Sequence, residues 1–323
     1  MSKAILHACT IDGKGGGEPL EGAAVSNMLK SQQLAWVHLD AGNPKTREWL
    51  EREVSYLDHI ILDALLAEET RPRILEFDQG AMMILRGVNL NENSRPEDMV
   101  SIRLWADDQR IITMRNRDLK AVDDIREKIA QAIGPKNTGD FVTMLAGRLL
   151  ERMEPVFSDL DEALDDIEEQ VIEHPDIEER TKITELRKQA IMFRRYVAPQ
   201  RDVIAHLRTS DISWLDQNHK RRLQESLDRV IRYVEDLDSI RERAQIVKDE
   251  LTSVLADRLN KNMYVLTIVA AIFLPLGFLT GLLGINVGGI PGADNPHAFF
   301  IFAGMLVALV GAQIAYFKWL KWF

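Results

Sequence analysis

The chain has 323 residues, of which 46% are hydrophobic and 28% charged, with 50 acids against 40 Lys and Arg and a single cysteine. A formal charge of −10 argues against nucleic-acid binding, which needs a basic face for phosphates, and favours a surface that attracts cations. Cys9 has no partner for an intrachain disulfide and suits a reducing compartment, and the stretch from Met1 to Thr10 is too short and too interrupted by His7 for a secretory signal.

Residues 1–137 read as a mixed α/β domain. Runs of β character fall at Ala4 to Ile11, Leu34 to Leu39, Ile74 to Phe77, Ala81 to Val88, Val100 to Ala106 and Arg110 to Met114. Asp78-Gln79-Gly80 and Asp107-Asp108-Gln109 are turn sequences, so their flanking runs are expected to pair as hairpins. Helices fit between the runs: one capped by Asn43 with Pro44 at its first position, one over Asp58 to Ala67, and one over Leu119 to Ile133. A mostly antiparallel or mixed sheet with helices over it is the natural assembly.

Gly13-Lys14-Gly15-Gly16-Gly17 lacks the GxxxxGK[ST] spacing of a phosphate loop and reads as a flexible turn. His7 and Cys9 would share a strand face and are a weak zinc candidate, needing further ligands. The seven histidines form no HExxH array, and no Ser-His-Asp grouping suggests itself. The chain is therefore read as neither an enzyme nor the holder of a resident cofactor.

Residues 138–214 read as long antiparallel helices. Asp140 to Glu173 is expected to be one helix, because its apolar residues at 146, 150, 153, 157, 160, 164, 167 and 171 step by four and three along one seam. Its other faces carry Asp159, Asp161, Glu162, Asp165, Asp166, Glu168, Glu169 and Glu173. These acids form either a solvated face, as charge runs usually do, or a cation-concentrating surface. His174-Pro175 ends the helix, and Ile177 to about Leu207 returns antiparallel with a possible bend at Pro199. A last helix begins near Leu215 or Asp216, and nothing breaks it before Pro275. Leu223, Leu227, Val230, Val234, Leu237, Ala244, Leu251 and Val254 give this stalk a heptad-like stripe. At ~1.5 Å per residue its roughly 68 residues, 215–283, reach on the order of 100 Å.

That stalk runs into Met263 to Leu283, 21 residues without a charge and long enough to cross a bilayer. A second uncharged run of 20, Ala298 to Phe317, is followed by a basic tail, 318–323, with the interfacial anchors Lys318, Trp319, Lys321 and Trp322. Arg258 and Lys261 precede the first span, while the loop 284–297 has no Lys or Arg, so both termini are expected on the cytoplasmic side. Two helices cannot enclose a pore, so conduction requires several copies around an axis; a simple anchor for a sensor or interaction protein needs none. Gly277 and Gly281 form a GxxxG step that permits close helix approach. Pro275 removes an amide donor and frees the carbonyl of Ala271, which could meet water if the helix lines a channel.

The first span runs into Gly284-Ile285-Asn286 and then Val287-Gly288-Gly289-Ile290-Pro291-Gly292 before the last span and its basic end. A proline-bearing penultimate span, a Gly-x-Asn tripeptide and a short loop resemble the CorA superfamily of divalent-cation channels, whose hallmark here is Gly-Met-Asn. Ile285 in place of methionine, and the loop from Val287 to Gly292, look like its ZntB branch, associated with zinc transport. The likeness covers the whole chain in layout, with its sharp residues confined to Leu274 through Gly292.

The resemblance implies a homopentameric funnel in a bacterial-type inner membrane: an α+β cytoplasmic domain, long antiparallel helices and a very long stalk helix continuing into the first of two C-terminal transmembrane helices. It implies that Met263, Leu266, Thr267, Ala270, Leu274, Gly277 and Gly281 line the conduit and that Asn286 rings its outer mouth; the bland alternative for that stripe is a helix contact seam. Between Asn262 and Ala293 there is no Asp, Glu, His or Cys, so a divalent ion would pass weakly held and at least partly hydrated. Met263, Leu266 and Leu274 could gate it by dewetting. Proton coupling, which the branch suggests, would have to use Asp257, Asp294 or His297. Asp249 and Glu250 stand where some magnesium members hold a regulatory ion, although exposed stalk charge is the default. Zinc is the favoured ion, with a magnesium or cobalt channel as the alternative.

Overall fold

The computed structural model describes residues 4–31, 33–67, 71–284, 292 and 295–319. It comprises two compact units, Met1–Asp249 and Glu250–Phe323. In the first, strands β1 (Ile5–Thr10), β2 (Ala35–Asp40), β3 (Arg73–Phe77), β4 (Gly80–Gly87), β5 (Val100–Ala106) and β6 (Arg110–Arg115) form one sheet in the order β1-β2-β6-β5-β4-β3. Every neighbouring pair is antiparallel except β2 and β6, which run parallel with Ala35 opposite Arg110. The sheet is thus mixed, and both anticipated hairpins, β3–β4 and β5–β6, are present.

Helices cover both faces, which is why β4 and β5 are almost wholly buried instead of alternating. On one face, Val37, Leu39, Met82, Ile84 and Ile112 pack with Trp49 and Leu50 of α2 (Lys45–Glu53) and with Ile61 and Leu65 of α3 (His59–Leu66). On the other face, Trp36 meets Phe141 of α5 (Thr138–Glu151) edge-on, with ring centres 5.2 Å from His7 and 4.9 Å from Phe141. The side chain of Asp58 caps α3 by accepting from the Ile60 amide, and Asn137 caps α5 by accepting from Asp140. Helix α4 (Lys120–Ala130) lies where its periodicity places it, while α1 (Ala23–Leu29) is a helix that pattern did not reveal. With 7 residues, no side-chain cap and only Val25 and Leu29 buried, α1 gives too weak a signal to read.

The glycine-rich turn is not flexible. Asp12 accepts hydrogen bonds from the amides of Lys14 and Gly16, and Gly15 accepts one from Gly134. A side chain on Gly15, at φ 106°, would strike Ala132 O at 2.9 Å, and one on Gly17 would overlap Thr10 O at 1.9 Å. The glycines let the turn dock tightly beyond the end of α4.

A second correction concerns the helix expected over Asp140 to Glu173. It is two helices, α5 and α6 (Glu154–Glu173), parted at Arg152 and Met153. Pro155 has no N–H to give the carbonyl of Glu151, so a continuous helix would lose that bond and clash there. The apolar seam nevertheless survives the break: Ala146, Leu150, Met153, Phe157, Leu160, Leu164, Ile167 and Val171 are all buried. Helix α7 (Glu179–Thr209) returns with Pro199 inside it, and α8 runs unbroken over 67 residues, Gln217–Leu283. Phe157 of α6 sits edge-on to Phe193 of α7 at 5.0 Å and to Tyr233 of α8 at 5.2 Å, tying the three helices together. Leu223, Leu227, Val230, Val234, Leu237, Ala244 and Leu251 of the α8 stripe are buried and Val254 is half-buried.

Candidate functional site

The second unit contains the end of α8 and helix α9 (Ala298–Trp319), and both helices are long and apolar enough to cross a membrane. On α8, Ile268, Ala271, Ile272, Leu276 and Leu279 are half-buried, as are Phe302, Leu306, Leu309, Val310 and Gln313 on α9. These residues form the contact between the two helices. At 3.6 residues per turn, the stripe Met263, Leu266, Thr267, Ala270, Leu274, Gly277 and Gly281 falls on roughly the opposite side of α8. Met263 is 58% exposed, Leu266 68% and Leu274 71%, and a side chain built on Gly277 or Gly281 would meet nothing within 4 Å. Met263, Leu266, Thr267, Leu274 and Gly281 are thus exposed within one chain, whereas Ala270 is half-buried and Gly277 also borders an apolar groove with Leu306, Val307 and Val310 of α9.

The hydroxyls on α8 turn back onto their own helix. Thr267 donates to Met263 O at 2.8 Å, and Thr280 donates to Leu276 O at 2.9 Å, so both protons are satisfied without water and the oxygen lone pairs stay available. The carbonyl of Ala271, freed by Pro275 and expected to meet water if the helix lines a channel, has a protein partner. It accepts a hydrogen bond from Nε2 of Gln313 on α9, at 3.3 Å. The sequence reading passed over Gln313, although it is the sole Asn or Gln in 263–283 and 298–317, and that isolation was the available signal.

Of the mouth tripeptide, Gly284 follows the last turn of α8 with its amide on Thr280 O at 2.9 Å, while Ile285 and Asn286 lie outside the described residues, as does Asp294. His297 stands just before α9; its amide donates to the Asn295 side chain at 2.9 Å, and its carbonyl accepts from Ile301. Asp257 is exposed on α8. Asp249 and Glu250 are also exposed, and Asp249 accepts from Gln245 one turn earlier at 2.9 Å.

Among the described residues, no group of three or more His, Cys, Asp or Glu is arranged to hold a metal. The His7–Cys9 pair accordingly lacks a third ligand there. Burial pushes the Cys9 thiol up to about 12 and, with Arg126 adding to the effect, His7 down to about 4. A thiol so raised supplies little thiolate for a metal.

The acidic face of α6 is partly neutralised from a distance in sequence that periodicity cannot see. Arg243 of α8 reaches Asp161 at 2.9 Å and Glu168 at 2.8 Å, and also pairs with Asp165. The hydrogen bonds that Arg243 donates to Glu168 and Asp165 raise its affinity for the proton further. The cluster clamps α6 to α8 and leaves less free negative charge than the sequence suggests. Replacing Arg243 with leucine is expected to cost about 1 kcal/mol, modest because the groups are partly solvated. Thermal unfolding should show a loss that shrinks as salt shortens the Debye length from ~8 Å to ~3 Å; a salt-independent loss would assign Arg243 a packing role only.

The CorA-like Mg2+ transporter protein family matches residues 31–319, taking in five of the six strands, β2 to β6, and the helices from α2 to α9. The chain belongs to this family. Divalent-cation transport is accordingly its function. The zinc transport protein ZntB of Pectobacterium atrosepticum is 37% identical over 317 residues, covering 98% of this chain and 95% of that one. The divalent cation transporter CmaX of Pseudomonas aeruginosa is 37% identical over 328 residues, covering 99% and 97%. The solved structure of full-length CmaX superposes with a TM-score of 0.86 at 38% identity, covering 100% of this chain and 99% of that one. The CorA-type arrangement of an α/β domain, a long helix running into an apolar segment and a second apolar helix is thereby this chain's fold.

Proposed function

We propose that identical copies of this chain, five in number, carry zinc across a bacterial inner membrane through a passage lined by the α8 residues of 263–283. The observation that supports this reading is that Met263, Leu266, Thr267, Leu274 and Gly281 are exposed within one chain, on roughly the side of α8 away from α9. A proton-satisfied threonine, two open glycines and large apolar side chains suit a wet but weakly binding conduit. Asn286 is the neutral rim, and Met263, Leu266 and Leu274 are the constrictions that close by dewetting. The ion is cargo; the chain needs no resident cofactor and performs no covalent chemistry. Both termini face the cytoplasm, with 1–137 and 138–214 forming the soluble part, 215–283 the stalk and first span, 284–297 the external loop, 298–317 the second span and 318–323 the tail.

Zinc rests on the Gly284-Ile285-Asn286 tripeptide, the Val287 to Gly292 loop and the likeness to ZntB. The equal identity to CmaX, whose name specifies only divalent cations, favours a second reading in which magnesium or cobalt also passes. Proton coupling through Asp257, Asp294 or His297 belongs to the first reading.

Initial rates of zinc, cobalt and magnesium entry into proteoliposomes, with and without an imposed pH gradient, test both. Zinc flux that rises with the gradient is expected. Equal rates for all three ions would favour the broader channel, and no flux above empty liposomes would end the transport reading. Mass measurement in detergent checks the copy number, since a monomer could not conduct.

A further inference from the structure

Proline inside a spanning helix creates a specific debt in hydrogen bonds. Pro275 has no amide hydrogen, so the carbonyl four residues earlier, on Ala271, loses its helical donor. In hydrocarbon there is no bulk water to replace it, and an unmet carbonyl costs several kcal/mol. The side-chain amide of Gln313, one helix away, fills that position: Nε2 stands 3.3 Å from Ala271 O. Because the acceptor is a carbonyl, the end of the amide facing it must be the NH2.

Two further observations sharpen the role. Gln313 is the only amide side chain in either apolar run, so it is not one of a scatter of polar residues. Its Oε1 is buried and has no partner among the described residues. A leucine or methionine there would fill comparable space without burying an oxygen, so only the donor end gives glutamine an advantage at this position.

We propose that Gln313 is a positioning residue for the pore helix: by supplying the donor that Pro275 lacks, it latches the proline turn of α8 to α9 and so fixes which side of α8 is turned away from α9. The effect on transport rests on the reading of 263–283 as the lining. The latch itself does not.

The test is a double-mutant cycle in the full-length protein. Gln313→Leu alone removes the donor and is expected to lower the equilibrium constant of latched over unlatched arrangements about 3- to 18-fold, the range corresponding to measured hydrogen bonds between membrane helices. Pro275→Ala restores a backbone amide to Ala271 O, so Gln313→Leu in that background should change nothing more. Two readouts are taken: the thermal unfolding midpoint in detergent, which should fall by roughly 2 °C for the single variant, and cation flux in proteoliposomes, which should fall by up to that same factor. If Pro275→Ala does not fold, Pro275→Leu supplies the same amide. Equal midpoint losses from Gln313→Leu with and without Pro275, or no loss with Pro275 present, would overturn the latch. Absence of flux from the unaltered protein would sink the transport reading and leave the midpoint cycle to decide the latch on its own.

Discussion

Asn286→Ala is expected to lower divalent-cation flux in proteoliposomes about tenfold or more, while the protein folds and assembles as before. Between Asn262 and Ala293 there is no side chain that carries a charge or binds a metal firmly. On the proposed reading a divalent ion reaching the mouth is met by neutral oxygens, among them the amide carbonyl of Asn286 from each copy. A hydrogen bond or dipole contact involving a charged partner contributes about 1.5–3 kcal/mol, and ~1.4 kcal/mol is already a factor of ten. Loss of the amide raises the barrier for a hydrated ion to enter, and a ring of copies loses it all at once. Asn286→Gln keeps the carbonyl and should retain more flux than alanine. Initial zinc rates for the three proteins, normalised to reconstituted protein, decide the matter. Alanine matching the parent would remove Asn286 from the mouth and with it the proposed entry mechanism.

Much of this architecture is written in local pattern. The six strands are legible as runs of β character, and two hairpins by the turn sequences Asp78-Gln79-Gly80 and Asp107-Asp108-Gln109. The 67-residue helix is legible because no proline interrupts it before Pro275 and its apolar stripe keeps one period. What escaped depends on partners far along the chain. The seam from Ala146 to Val171 is correct in every buried residue, yet the backbone breaks in its middle, because periodicity reports which side chains face inward and is blind to the one amide that Pro155 removes. The acids of α6 look free until Arg243, 75 residues beyond Glu168, is placed among them. Likewise the sequence identifies Ala271 as the carbonyl that Pro275 orphans, but whether water or a side chain answers it depends on how two helices register, which neither helix states alone. The Gly13–Gly17 turn misled for a related reason: glycine permits both flexibility and close packing, and Thr10 and Ala132 choose the second.

A buried histidine gives the soluble unit a marked weakness toward acid. His38 lies on β2 with only 2% of its surface exposed. Its Nδ1 is 2.7 Å from Thr113 Oγ1, and the same hydroxyl accepts from Trp36 Nε1 at 2.8 Å. Thr113 Oγ1 also lies 3.5 Å from Val37 O, to which it donates, while His38 Nε2 is buried without a partner among the described residues, so a charged ring would carry a proton with no acceptor there. Burial, reinforced by the charges of Arg115, His7 and Arg126, pushes His38 from 6.5 down to about 3. The unfolded chain takes up a proton as the pH falls through 6.5, whereas the folded chain refuses it until about 3. Stability supplied by neutral His38 is thus fully present above that upper value and is lost progressively across the window below it. Each pH unit of the window is worth about 1.4 kcal/mol, so on the order of 3 kcal/mol should be gone two units down. His7, brought to about 4 chiefly by burial, acts in the same direction over the upper part of the same window. His38→Gln removes the titrating ring while keeping a polar end for Thr113. It is expected to lower the unfolding midpoint at neutral pH but to make the decline between about pH 6.5 and pH 4.5 distinctly shallower than in the parent. Thermal unfolding of the detergent-solubilised full-length chain across that range provides the comparison. Parallel slopes for the two proteins would mean that folding does not suppress the protonation of His38, and would remove this residue as the source of the acid sensitivity.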